Sequence, residues 1–116
     1  MAFERACAVD EIAADQAHKV VLGRYDIAIA RDGDEVFALQ DLCSHAEVAL
    51  SEGEVDGGTI ECFLHGSCFD LRTGKPTSLP ATEPVATFPL ELRPAPAGGM
   101  DVYVDVENTL NGVTPA

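Results

Sequence analysis

Two short segments of the chain each combine one cysteine with one histidine. The first reads Cys43-Ser-His45 and the second reads Cys62-Phe-Leu-His65, with sixteen residues between them. Thiolate sulfur and imidazole nitrogen both bind transition metals. The chain has four cysteines and three histidines, and two of each fall in this pattern. The two segments therefore predict the matching halves of one metal site.

The shape of these halves favours an iron-sulfur cluster over a structural zinc ion. Zinc fingers usually pair cysteine with cysteine and histidine with histidine, two to four residues apart. Here both pairs are mixed, and a single residue separates Cys43 from His45. A zinc-bound interaction module stays open as an alternative, as does a set of unrelated core cysteines and surface histidines.

The residues around the two halves resemble the Rieske [2Fe-2S] family. Within it they are similar to the ferredoxin components of bacterial aromatic ring-hydroxylating dioxygenases of the biphenyl and carbazole type. The likeness covers about residues 20–106 and is strongest in four runs: 43–53, 57–62, 65–74 and 79–81. It implies one Rieske cluster, in which Cys43 and Cys62 bind one iron and His45 and His65 bind the other.

The resemblance also implies which residues surround the cluster. Ser67 matches a serine whose hydroxyl donates to a bridging sulfide in high-potential relatives, and Phe69 matches a tyrosine, so that one hydroxyl is missing here. Pro80 belongs to a third loop that covers the cluster. Gly66 would let the backbone come close to the cluster or turn sharply, and an ordinary turn glycine is an equal interpretation.

Two further positions separate this chain from the respiratory branch of the family. In that branch a disulfide clamps the ligand loops together, and the matching residues here are Val48 and Leu64. This clamp therefore cannot form. With the missing hydroxyl at Phe69, the resemblance implies a midpoint potential near the low end of the Rieske range, around −150 mV.

The resemblance implies an all-β Rieske fold, an antiparallel β-sandwich with a small cluster-binding subdomain inserted at about residues 41–82. Residues 1–106 are expected to form one domain and residues 107–116 a loose tail. Alternation of apolar and polar residues independently predicts half-buried strands at 25–30 and 100–106. A third segment, 88–92, alternates likewise, and its Pro89 indicates an edge position. Further strands are expected near 3–8, 17–22, 35–39, 59–62 and 66–70.

The net charge of −13 limits the partners of this protein. Between Arg31 and Arg72 there is no lysine or arginine, while ten of the twenty acidic residues fall there. Such a surface disfavours nucleic acid and anionic membranes and favours a basic patch on another protein. The alternative is that these acids only maintain solubility. The candidate docking residues are Phe63, Leu64, Glu47, Glu52, Glu54 and Asp56.

The chain lacks the parts that an enzyme of this class needs. Apart from the predicted ligands only His18 remains, too few for a mononuclear iron centre, and no Gly-x-Gly-x-x-Gly nucleotide fingerprint occurs. The resemblance therefore implies an electron carrier between a flavin-dependent NAD(P)H ferredoxin reductase and a terminal oxygenase. The small Rieske-like subunit of an assimilatory nitrite reductase is the alternative.

Cytoplasmic residence is the default expectation, and the oligomeric state stays open with a monomer as the default. The N-terminal residues lack the basic start and apolar stretch of a secretory signal. In a reducing compartment Cys7 and Cys68 are expected to be free thiols. We expect Cys7 to pack in the core, whereas Cys68 either packs or neighbours the cluster. The aromatic substrate is not encoded here, because it is selected by the oxygenase.

Overall fold

The structure is a computed structural model that describes residues 3–42, 48–62, 66–78 and 81–113. All strand pairs in this part of the chain are antiparallel. Short 3₁₀ turns occur at Val9–Glu11 and Leu50–Glu52. The strands are β1 (Glu4–Ala8), β2 (Ala17–Leu22), β3 (Tyr25–Asp32), β4 (Glu35–Gln40), β5 (Val55–Asp56), β6 (Thr59–Glu61), β7 (Cys68–Asp70), β8 (Thr87–Phe88), β9 (Leu90–Pro94) and β10 (Met100–Val104). The prediction of an all-β antiparallel fold is confirmed.

The strands form three sheets. The first sheet has the order β1-β10-β9, the second β2-β3-β4-β8, and the third β5-β6-β7. The first two sheets share one apolar core, to which Ile27, Phe88 and Val102 contribute fully buried side chains. The third sheet falls within residues 41–82, between β4 and β8, which pair with each other in the second sheet. It has its own apolar core.

Strand β3 differs from its prediction as a half-buried strand. Residues 27–30 are all completely buried. Ile27 and Ile29 belong to the core shared with the first sheet, whereas Ala30 belongs to the core of the third sheet. The second sheet is therefore covered on both faces at this point. Small alanine side chains on the second face leave room for the subdomain that carries the predicted ligands.

The chain changes sheets at Pro89. The sequence predicts one strand at 88–92, but the structure has β8 at the end of the second sheet and β9 at the end of the first. Pro89 lies between them and has no N–H to donate, so it interrupts the ladder. Both strands are edge strands in these sheets, in agreement with the predicted position.

Residues of the segment expected to form a loose tail make hydrogen bonds to the rest of the fold. The backbone N–H of Leu110 donates to the Thr87 carbonyl at 2.8 Å. The Asn111 side-chain amide donates to the carbonyls of Val85 and Thr73 at 2.8 and 2.9 Å. Thr73 and Val85 lie outside the strands, and Asn111 supplies donors for their carbonyls.

No helix in the described ranges has the length and apolar character needed to cross a bilayer.

Candidate metal centre

The predicted ligand set lies largely outside the described residues. Cys62 is described, whereas Cys43, His45 and His65 are not. The same holds for Phe63, Leu64, Glu47 and Pro80. Within residues 3–42, 48–62, 66–78 and 81–113, no group of three or more potential metal ligands occurs. The described residues are those at the ends of the loops that contain these positions.

The second ligand loop is closed by two backbone hydrogen bonds. The N–H of Cys62 donates to the Ser67 carbonyl at 2.6 Å, and the N–H of Gly66 donates to the Cys62 carbonyl at 2.9 Å. Gly66 has a φ of +73°, a conformation that residues with a Cβ rarely adopt. A Cβ at Gly66 would meet no described atom within 4 Å. Among the described contacts, the turn rather than crowding explains this glycine.

Ser67 links the second loop to the residue that follows Pro80. Its side chain is fully buried, and its Oγ accepts the N–H of Ala81 at 3.1 Å. No described residue accepts the hydrogen of this hydroxyl. Buried hydroxyl hydrogens normally find an acceptor. Ser67 therefore has a donor available for a group held between these loops, which fits a cluster with inorganic sulfide.

The apolar core of the third sheet surrounds Cys62. Cys62 and Phe69 are both completely buried in this core. Phe69 pairs with Ile60 across β6 and β7, and carries no hydroxyl. Val48, at one of the positions of the family's clamping disulfide, packs against the same core. These side chains keep water from the thiol side of the site.

The ends of the first ligand loop are held by polar side chains. Gln40 Oε1 accepts the N–H of Ala86 at 3.1 Å, and its Nε2 donates to the Leu42 carbonyl at 3.3 Å. Asp41 is 4% exposed, and both its carboxylate oxygens accept hydrogen bonds from Ser51. In the sequence, Asp41 is one of the ten acidic residues between Arg31 and Arg72. Its place between a buried strand and Cys43 was the available signal.

The described acidic docking residues lie on the surface. Glu52, Glu54 and Asp56 are exposed, as is Glu61. The N–H of Glu61 donates to the Glu54 carbonyl at 2.8 Å, so these two exposed acidic residues are neighbours where the chain enters β5 and leaves β6. The described ion pairs involve none of these four acids, so their negative charge is not neutralised by a described basic residue.

The two remaining thiols occupy different environments. Cys7 is 2% exposed within the main core, as predicted, and burial raises the pKa of its thiol to about 11. Cys68 is partly exposed and pairs with Glu61 across β6 and β7. Because side chains alternate along a strand, Cys68 lies on the opposite face from buried Ser67 and Phe69. This position disfavours a role as a neighbour of the cluster.

Comparisons with known proteins agree with this geometry. The family model described as "Rieske [2Fe-2S] domain" matches residues 3–89. The anthranilate 1,2-dioxygenase ferredoxin subunit of Burkholderia cepacia is 47% identical over 73% of this chain and 79% of its own length. The biphenyl 2,3-dioxygenase ferredoxin component of Rhodococcus jostii (strain RHA1) is 40% identical over 98% of this chain and 99% of its own.

Solved structures show the same likeness. In a complex of reduced oxygenase and oxidized ferredoxin in carbazole 1,9a-dioxygenase, one chain is 35% identical to this one with a TM-score of 0.73, over 88% of this chain and 91% of that chain. The small subunit of a putative nitrite reductase has a TM-score of 0.76 over 91% of this chain and 100% of its own. Because its identity is 17%, that likeness shows the fold alone.

Proposed function

The chain belongs to the Rieske [2Fe-2S] domain family, and on that premise we propose that it carries electrons to the terminal oxygenase of an aromatic-ring dioxygenase system. The observation that supports this most strongly is its likeness, over nearly its whole length, to a biphenyl 2,3-dioxygenase ferredoxin component. The chain is an electron-transfer component and not itself an oxygenase. The relatives whose sequences are at least 35% identical to this chain are dioxygenase ferredoxins or their complex with an oxygenase, and they favour this function over the nitrite reductase alternative.

We propose that Cys43, His45, Cys62 and His65 hold the one Rieske cluster. The described residues fit this assignment: Cys62 offers a buried thiol at a closed turn, and Ser67 offers a hydroxyl hydrogen without a described acceptor. One-electron uptake and release is the chemistry that the bound cluster supplies. The protein binds the cluster through these loops, excludes water with the core of the third sheet, and presents the two imidazoles to its partners.

The proposed partners are a terminal oxygenase and a flavin-dependent NAD(P)H ferredoxin reductase. A ferredoxin similar to this chain has been solved in complex with the oxygenase of carbazole 1,9a-dioxygenase, which supports the first partner. The second follows from the need for an electron source, because no nucleotide fingerprint occurs in this sequence. We propose that the carrier acts as a monomer in the cytoplasm.

We propose that the partners dock on the surface around the ligand loops. Phe63 and Leu64 would supply a small apolar contact, and Glu47, Glu52, Glu54 and Asp56 would attract a basic patch. The exposure of Glu52, Glu54 and Asp56, with no described ion pair at any of them, supports this proposal. Long-range attraction raises the rate of association without requiring a tight complex, which suits a carrier that must leave again.

The cluster and its potential provide the first test. Purified protein should be red-brown, contain two irons per chain, and give a rhombic EPR signal at low average g after reduction. Protein-film voltammetry should give a midpoint around −150 mV, and a value above about +100 mV would contradict the assignment to the low-potential branch. Zinc in place of iron would restore the interaction-module alternative.

Electron delivery provides the second test. The protein is mixed with a ferredoxin reductase, NADH or NADPH, and the terminal oxygenase of an aromatic-ring dioxygenase, and hydroxylated product is measured. Product that depends on this protein supports the proposal. Reduction of the cluster without transfer to any such oxygenase, together with transfer to a nitrite reductase, would favour the alternative function.

The acidic docking surface is tested by charge neutralisation. The variant Glu52→Gln/Glu54→Gln/Asp56→Asn is compared with Glu4→Gln/Asp10→Asn/Glu107→Gln, which removes the same charge from exposed positions outside the third sheet. Because steering raises association rates by about 10- to 1,000-fold in total, we expect the first variant to reduce the oxygenase about three- to tenfold more slowly at low salt. Equal rates for the two variants would show that these acids only maintain solubility.

A further inference from the structure

We propose that Asp41 and Ser51 form a non-covalent clamp that positions the first ligand loop. The inference rests on the proposed function, because it assumes that Cys43 and His45 bind the cluster. Asp41 precedes Cys43 by two positions, and Ser51 follows His45 by six. The side chain of Asp41 and the N–H and hydroxyl of Ser51 bring together the two ends of the segment that contains both ligands. They are positioning residues and do not touch the cluster themselves.

The contacts of the clamp are short and partly buried. Asp41 Oδ1 accepts the backbone N–H of Ser51 at 2.6 Å, and Asp41 Oδ2 accepts the Ser51 hydroxyl at 2.7 Å. Asp41 is 4% exposed. Hydrogen bonds to an ionised carboxylate are about twice as strong as those between neutral groups. The two residues therefore define the span of the loop.

Both ends of the clamp are fixed to the rest of the molecule. The N–H of Asp41 donates to the Asp26 carbonyl on β3 at 2.8 Å. Ser51 lies in the 3₁₀ turn Leu50–Glu52, and Leu50 is completely buried in the core of the third sheet. The clamp thus ties the first loop to the second sheet at one end and to the subdomain core at the other.

The clamp has a function that fold stability alone does not explain. Burying a carboxylate costs free energy that well-packed apolar residues avoid. Closing a loop between fixed ends costs conformational entropy, and a covalent clamp is impossible at Val48 and Leu64. The proposed loop must hold two metal ligands, so its two ends need to be fixed. The Asp41 carboxylate lies at one of these ends and binds the other.

Four variants of the loaded protein test the clamp. Asp41→Ala removes both contacts, and Ser51→Ala removes the hydroxyl contact alone. Asp41→Asn removes the charge but keeps one acceptor for the Ser51 N–H and one donor for its hydroxyl oxygen. Asp105→Ala is the matched control: Asp105 is buried like Asp41 and accepts hydrogen bonds from the Glu107 N–H and the Asn108 amide, but it lies outside the ligand loops.

The main measurement is the rate at which visible absorbance of the cluster decays in excess ferrous chelator. We expect Asp41→Ala to lose the cluster about tenfold faster than wild type, which corresponds to about 1.4 kcal/mol of activation free energy. Asp41→Asn should recover most of the difference, and Asp105→Ala should lose the cluster at the wild-type rate although its melting temperature falls. The reduced EPR signal should broaden in Asp41→Ala alone, because a loose loop samples several geometries.

Several outcomes would overturn the clamp. One is equal decay for Asp41→Ala and Asp105→Ala. Another is equal decay for Asp41→Ala and Asp41→Asn, because both remove the charge and only the first removes the contacts. If Asp41→Ala does not fold, Ser51→Ala decides: decay faster than wild type supports the clamp, and unchanged decay overturns it. A wild-type protein that binds no two-iron cluster would instead overturn the proposed function, and the clamp with it.

Discussion

Replacement of Ser67 by alanine is the change that most directly tests the assembly of the site. Ser67 is fully buried, and its Oγ is the described acceptor for the N–H of Ala81, which is itself 3% exposed. Ser67→Ala leaves that N–H without its acceptor, and a buried unsatisfied donor costs about 1–3 kcal/mol. It also removes the hydroxyl hydrogen that has no described acceptor. We predict a loss of both stability and reduction potential.

The size of the potential change follows from the energy of one hydrogen bond. A one-electron potential shifts by about 59 mV for a tenfold change in the equilibrium constant, or about 1.4 kcal/mol. Hydrogen bonds to charged groups contribute about 1.5–3 kcal/mol. If about 1.4 kcal/mol of this favours the reduced state, because it carries more negative charge on sulfur, Ser67→Ala lowers the midpoint by about 60 mV.

Ser78→Ala is the matched control for this prediction. The Ser78 Oγ also accepts a backbone N–H, that of Cys68 at 3.0 Å, but Ser78 is exposed. We expect its midpoint to equal that of wild type and its stability to change by about 0.5 kcal/mol or less. Potentials are measured by protein-film voltammetry and stabilities by urea unfolding at equal iron content. A Ser67→Ala variant that is destabilised but has an unchanged midpoint would show that this hydroxyl only holds Ala81.

Three further predictions concern the scaffold. Gly53→Ala should destabilise the protein by about 3 kcal/mol or more in urea unfolding, because the added Cβ would overlap the Glu61 carbonyl oxygen. Gly33→Ala is the control, because an added Cβ there would meet no described atom within 4 Å. It should lower the free energy of unfolding by only about 1 kcal/mol, because of the positive φ at this position. Hydrogen bonds from the Asn108 amide, and then from the Glu107 N–H, lower the pKa of Asp105. The ionised carboxylate therefore stabilises the folded protein fully above a pH of about 4, and this contribution is lost as the pH falls through the folded pKa. The difference in unfolding free energy between wild type and Asp105→Asn should accordingly shrink in acid. In native protein at neutral pH, maleimide should modify Cys68 and not Cys7, because the buried Cys7 thiol has a pKa of about 11. Equal modification of the two cysteines in mass spectra would contradict the described burial.

Much of the fold could be predicted because strand periodicity is a local property. The strand predicted at 17–22 has the same bounds as β2, and the strand predicted at 35–39 ends one residue before β4. Strand β5 was missed because Val55–Asp56 is too short to show alternation. The burial of β3 on both faces was missed because alanines 28 and 30 look like neutral residues unless the packed subdomain is known.

The chemistry of the site could be predicted from the sequence, whereas the hydrogen bonds that hold its loops could not. The Cys-x-His and Cys-x-x-His spacing, with its flanking residues, identified the family that the comparisons show. No spacing rule relates Asp41 to Ser51 or Ser67 to Ala81, since each pair meets only after the chain has folded. The same holds for Asn111, whose polar side chain looked like part of a loose tail but satisfies two carbonyls.

The described anchors of the three loops lie beside the second and third sheets. Asp41 follows β4 of the second sheet, whereas Cys62 and Ser67 lie between β6 and β7 of the third. Ala81 belongs to the third sheet's core and bonds to Ser67. The relative position of the loops therefore depends on the contact between the second and third sheets, to which Ala30 and Leu39 contribute. In a family whose respiratory branch fixes its loops by a disulfide, this chain can fix them through packing and buried hydrogen bonds, and such a site responds to changes in the scaffold beneath it.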